Sequence, residues 1–194
     1  MGVFYKGLYL PALNEVGWDD EVNANFTILA DAHITARSLF LDAMDGLDHT
    51  NNRCGTLGTF PDSVPVFSFA DGSTYGAYWS FRMPVDSAGG TLLVRPVWAP
   101  LASSAGAAVQ WRTTLKTVVG ATVTGGGTQI SWTGQGGAKT ISVPVLEPGQ
   151  VSTGFTPAAG SLVRFAIARL GADAADTLAT NALLLGVQLD YTAL

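Results

Sequence analysis

Six carboxylates lie beyond residue 64: Asp71, Asp86, Glu147, Asp173, Asp176 and Asp190. Two carboxylates held a few ångströms apart can hydrolyse a glycosidic bond, one as acid and the other as base or nucleophile. Each of these six instead stands beside turn residues or on the polar phase of a strand, where acids serve solubility and turn geometry, and no pair stands out. His33 and His49 are the only histidines, sixteen residues apart, with no Cys/His spacing around them that would suit a metal. A Ser-His-Asp or Cys-His arrangement needs a histidine near the same region, and only His49 approaches it. The string "VTGGGT" is a hairpin turn and lacks the Lys-Ser/Thr end of a phosphate loop. Neither catalysis nor a cofactor nor a metal is expected.

Aromatic rings offer a second chemistry, the platform on which a sugar stacks. The four tryptophans beyond residue 64 fall on apolar phases of alternating patterns. Ala77, Trp79, Phe81 and Met83 oppose Tyr78, Ser80 and Arg82; Val109, Trp111 and Leu115 oppose Gln110, Arg112, Thr114 and Lys116. Ile130 and Trp132 oppose Gln129, Ser131 and Thr133, and Trp98 keeps the phase of Leu92 and Val94. In a strand that phase faces the core. The tryptophans are expected inside, which leaves Tyr75 and Tyr78, beside "DGS", as the candidate glycan contacts.

The elements that must position these residues are mainly β. Candidate strands are 66–70, 77–83, 91–99, 108–116, 128–133, 140–145, 150–155, 162–170 and 183–192. Between them lie "DGSTYG", "DSAGG", "SSAG", "TGGG", "GQGG", "EPGQ" and "PAAG". Short strands at this spacing, with no long helix among them, predict a jelly-roll-like antiparallel β-sandwich over residues 65–194. Residues 46–64, rich in Gly, Asn, Asp, Thr and Pro, read as a linker. Residues 19–45 read as a short α-helix. Asp19, Asp20 and Glu21 supply an N-cap and a negative first turn. Val22, Phe26, Leu29, His33, Ala36, Phe40 and Ala43 then recur at steps of four and three, the pattern of a trimer seam. The same helix would also serve lying on its own domain, and both readings stay open. Residues 1–18 have no sustained period, and Gly7, Pro11 and Gly17 break them. This extended arm is expected to dock on a partner through Phe4, Tyr5, Leu8, Tyr9, Leu10, Pro11, Leu13, Val16 and Trp18.

Composition narrows the classes. Among 194 residues, 47% are apolar and 13% charged, so there is material for a core and a surface of low charge density. The net charge is −5. Residues 1–50 hold eight acids against two bases, whereas residues 51–194 are nearly balanced. No Lys/Arg cluster appears along the sequence, so neither nucleic acid nor an anionic membrane is expected as a partner. Cys54 is alone, so no intrachain disulfide is expected. No signal peptide and no membrane helix is read, and assembly in the cytoplasm of the producing cell is expected.

The string "LPALNEVGWDDEVNANFTIL" resembles the N-terminal segment of bacteriophage fibre and virion-appendage proteins. In that pattern a Pro-containing strap leads to a Trp-Asp pair and then an Asn-x-Asn-Phe helix start. The matching residues are Pro11, Gly17, Trp18, Asp19, Asp20, Asn23, Asn25 and Phe26. More weakly, "YWSFRMPVD" and "VQWRTTL" look like jelly-roll modules of phage structural proteins. The resemblance implies a homotrimer on the virion surface, anchored to a capsid or tail protein by its N-terminus. The chain has none of the extended repeats of long fibres, which places it nearer to a capsid decoration protein or head fibre. The expected function is a non-enzymatic structural protein of a phage virion. The alternative is a tail-fibre or carbohydrate-binding adhesion module that recognises a host-surface glycan.

Overall fold

A computed structural model of the chain describes residues 3–5, 8–10, 35–48, 64–119, 122–123, 128–141 and 143–194. Fourteen strands are formed: β1 Val3–Tyr5, β2 Leu8–Leu10, β3 Thr35–Asp42, β4 Leu47–Asp48, β5 Phe67–Phe69, β6 Thr74–Arg82 and β7 Leu93–Pro100, then β8 Gln110–Val119, β9 Thr122–Val123, β10 Thr128–Thr133, β11 Val145–Leu146, β12 Gln150–Val151, β13 Leu162–Leu170 and β14 Ala182–Ala193. Besides a two-stranded sheet β1-β2, a first sheet runs β10-β8-β13-β6-β4, with β9 also on β8, and a second runs β11-β7-β14-β3, with β12 also on β7 and β5 also on β14. Every pairing among these strands is antiparallel. Of the longer strands, β6 lies in the first sheet, β7 in the second and β8 in the first again. Neighbours in space are therefore not neighbours in sequence, as in a jelly-roll sandwich.

Alternation builds the core, as the sequence predicts. Trp98 of the second sheet meets Trp111 of the first edge-on, with ring centroids 6.2 Å apart. Phe67 meets Trp79 at 5.8 Å and 88°, and Phe69 meets Trp111 at 6.4 Å. Such edge-to-face pairs each add about 0.5–1.5 kcal/mol beyond the apolar area they bury. Trp79, Trp98 and Trp111 are buried, and Trp132 is half-buried against the same cluster. Gly46 closes one end of this core. A Cβ there would lie 2.7 Å from the Trp79 ring and 2.8 Å from the Phe67 ring, while the Trp79 Nε1 donates to the Asp42 carbonyl at 2.8 Å.

The helix expected over residues 19–45 is not what residues 35–45 form. Thr35–Asp42 is a strand paired with β14, with Leu39 opposite Leu189 and Leu41 opposite Val187. Only Ala43–Asp45 turn helically, as one 3-10 turn whose cap, Asp42, accepts from the Met44 N–H at 2.8 Å. The stretch also alternates: Leu39 and Leu41 share one phase, and Ser38, Phe40 and Asp42 the other. The open edge of β14 offers it a hydrogen-bond ladder, and burial of Leu41 against the core outweighs helix propensity. Of the expected seam, Ala36 and Phe40 are exposed on the outward phase and Ala43 is buried inside. Val22, Phe26, Leu29 and His33 lie outside the described residues, as do Pro11, Leu13, Val16, Trp18, His49 and Cys54.

Other departures have local causes. Leu47–Asp48, expected as linker, pairs with β6. Within the expected arm, Val3 pairs with Leu10, Phe4 with Tyr9 and Tyr5 with Leu8. The strands expected at 140–145 and 150–155 shrink to two residues each. Pro144 and Pro148 lack the N–H a ladder needs, and Gly149 turns with φ +92°.

Candidate functional site

Register decides which side chains meet on the outward face of the first sheet. Tyr78 stands opposite Ala166, Ala166 opposite Thr114, and Thr114 opposite Gln129. The next row on one side is Ser80, Arg164 and Lys116; on the other it is Gly76, Ala168, Arg112 and Ser131. Rows on one strand face are roughly 6.6 Å apart. The middle of the face is low because Gly76, Ala166 and Ala168 are small. Tyr78, Arg164, Lys116 and Arg112 rise around them.

Two adjoining hollows result. One, of about 420 Å³, is lined by Tyr78, Thr114, Lys116, Arg164, Phe165 and Ala166. The second, of about 310 Å³, lies toward Gly76, Arg112 and Ala168 and shares Tyr78, Thr114 and Ala166 with the first. Together they make one shallow groove across β6, β13 and β8. The Arg164 guanidinium carbon sits 5.4 Å from the centre of the Tyr78 ring, a cation–π contact that orients the arginine.

The face is positive. Arg82, Arg112, Lys116 and Arg164 all occupy outward positions, and on β6, β8, β10 and β13 no Asp or Glu does. None of the four forms an ion pair with a described residue. Arg82 donates to the Gly160 carbonyl at 3.1 Å. The expectation that Lys and Arg do not cluster holds along the chain and fails in space. Bases from three separated strands meet because β13 lies between β6 and β8.

Of the two candidate glycan contacts, Tyr78 lines both hollows. Tyr75 stands in register with Arg169 on the ladder between β6 and β13. Among the six carboxylates, four behave as the sequence predicts. Asp86 pairs with Arg37, Asp190 lies 3.5 Å from Arg95, Asp173 accepts from the Ala175 N–H, and Asp71 accepts from the Gly72 N–H.

Asp176 and Glu147 depart from that pattern, because their side chains have no exposed surface. Asp176 is held side-on by Arg169, at 2.9 Å from Nε and 2.7 Å from Nη2. Its oxygens also accept from the backbone N–H groups of Gln110 and Leu178. Arg169, itself without exposed surface, donates further to the carbonyls of Phe69, Leu178 and Thr180 and reaches Asp71 at 3.4 Å. Asp71 and Asp176 thus meet on one guanidinium, but Asp176 is sealed from solvent and every contact it makes is structural. Glu147 accepts from Trp98 Nε1 at 2.7 Å and from the Gln135 N–H at 2.6 Å, which ties the 134–139 loop to the core. Sequence reasoning missed Arg169, although a signal existed. It shares the phase of Val163, Phe165 and Ile167, and a charge on an apolar phase demands a buried partner.

Among the described residues, no three His, Cys, Asp or Glu side chains gather in a way that would hold a metal. No helix among them is long and apolar enough to cross a membrane. No protein-family model matches the chain, and no curated protein matches it. Solved structures similar to it include a family 35 carbohydrate-binding module from Clostridium thermocellum, at 12% identity and TM-score 0.40, covering 79% of this chain and 97% of that one. A second family 35 module, from Cellvibrio japonicus Abf62, matches at 10% identity and TM-score 0.40 over 79% of this chain and 92% of its own. A structure of infectious bursal disease virus, Gx strain, matches at 12% identity and TM-score 0.36 over 82% of this chain and 32% of its own. Overlaps this loose carry no weight for what the chain binds or where it acts.

Proposed function

We propose that this protein is a non-enzymatic recognition module of a phage virion, a β-sandwich that offers the hollow face of its first sheet to a host-surface glycan. The observation that carries the recognition part is the groove around Tyr78. It is open, floored by small side chains, and lined by hydroxyls and cations suited to hydrogen-bonding a saccharide chain. What supports the virion part is the resemblance of residues 10–29 to phage appendage proteins. Attachment to a capsid or tail protein and a homotrimeric state rest on that resemblance and on the apolar arm and seam residues of the sequence. Residues 35–45, which carried part of the expected helical seam, form β3 and the turn after it.

Two measurements test the two parts separately. Tyr78→Ala should abolish binding of the purified chain to a host-surface polysaccharide while its circular dichroism stays unchanged. Undiminished binding would remove the groove from the mechanism. Deleting residues 1–18 should prevent incorporation into virions, and normal incorporation would remove the arm as the anchor.

A further inference from the structure

We infer that the groove takes an anionic polysaccharide, one bearing carboxylates or phosphodiesters along its chain; this rests on the recognition reading above. Charge is the first argument. Arg164 and Lys116 are direct cross-strand neighbours on the same face, a placement in which like charges repel. Ser80 completes that row, where an acid would relieve both. No outward position on β6, β8, β10 or β13 supplies one, although the chain as a whole carries −5. A sequence that leaves an unfavourable pair in place breaks a local rule, and such breaks concentrate where function needs them. Here the missing negative charge is the ligand's.

Shape and spacing extend the argument. Arg112 lies four residues from Lys116 on β8, about 13 Å along the strand, so cations stand at both ends of the groove. A ligand that satisfies both carries repeated charge, which means a polymer. Between the charges the floor is narrow, and Thr74, Ser80, Thr114, Gln129 and Ser131 line or border it with groups that hydrogen-bond hydroxyls. Duplex DNA is read by elements that project into its grooves, whereas this face is sunken. Single-stranded nucleic acid is held by successive aromatic platforms. This groove holds one tyrosine, already in contact with Arg164.

The test uses the full chain and four probes: alginate for carboxylate, a glycerol-phosphate polymer for phosphodiester, dextran as a neutral chain, and duplex DNA. One or both anionic polysaccharides should bind, and the tighter of the two names the anion. Binding should weaken with added salt and fall about tenfold on Arg164→Gln or Lys116→Gln, the loss of one charge-assisted contact. Ala166→Glu, which adds a carboxylate to the floor, should abolish it. Arg95→Gln, on the outward face of the other sheet, should leave it unchanged, with circular dichroism confirming the fold of each variant. Equal binding of dextran, indifferent to Lys116→Gln, would overturn the anionic assignment and leave the recognition reading standing. Binding of duplex DNA alone would overturn the polysaccharide. No binding by any probe would take down the recognition reading with it.

Discussion

Replacing Arg169 by Met puts the buried ion pair to the test. Its guanidinium is bonded to both oxygens of Asp176 and to three main-chain carbonyls, of Phe69, Leu178 and Thr180. Neither Arg169 nor Asp176 has an exposed side-chain atom. Methionine fills much of the volume and supplies no donor, so the carboxylate keeps only the N–H groups of Gln110 and Leu178 and three carbonyls lose a donor at once. Breaking one side of a buried pair costs about 3–5 kcal/mol. For a chain of this size each kcal/mol moves the melting temperature by about 2–4 °C, so calorimetry should find it lower by roughly 6–20 °C. Urea unfolding should give the matching free-energy loss, a large share of the 5–15 kcal/mol that holds a typical domain together. The double variant Arg169→Met/Asp176→Leu removes the stranded charge and should recover part of the loss. A single variant within about 1 kcal/mol of the parent would refute the reasoning, since it would mean that Asp176 finds water or another partner.

Further tests reach other parts of the sandwich. Thr113 carries a buried hydroxyl without a hydrogen-bond partner, so Thr113→Val should stabilise the protein by about 1 kcal/mol in urea unfolding. Gly46→Ala should destabilise it by about 1–3 kcal/mol, because the new methyl would overlap the Trp79 and Phe67 rings. Glu147→Leu orphans the Trp98 and Gln135 donors; a loss of about 1–3 kcal/mol per donor and a changed tryptophan emission are expected. Lys116→Gln should raise stability by about 0.2–1 kcal/mol without ligand, since it removes repulsion from Arg164. A loss there would show that the lysine supports the fold.

The sandwich was largely legible because strands write their two faces into alternate residues. The phases of Trp79, Trp111 and Trp132 predicted an interior that the fold bears out, and β10 and β13 have the predicted bounds. Residues 35–45 misled because a stretch with Leu39, Phe40 and Leu41 satisfies a helical and a strand period together. The choice was made by β14, some 150 residues away in the chain. The groove was half legible. Alternation put Tyr78, Arg82, Arg112 and Lys116 on outward phases one strand at a time. That they share a face with Arg164 depends on strand order, and no local pattern encodes strand order.

Strand β14 is the hub of the second sheet. It is paired with β7 along one edge and with β3 and β5 along the other. It also comes last in order among the described strands. Until residues 182–193 emerge, β3 and β7 have no common neighbour. Side-chain contacts such as Ser38 to Asp190, 152 residues apart, must wait until β14 has been made. Folding is therefore expected to be slow and all-or-none, dominated by distant pairings. A nascent chain would expose β-rich apolar segments throughout synthesis. A prematurely ended product would retain strands without a sandwich, and its expected fate is aggregation or proteolysis.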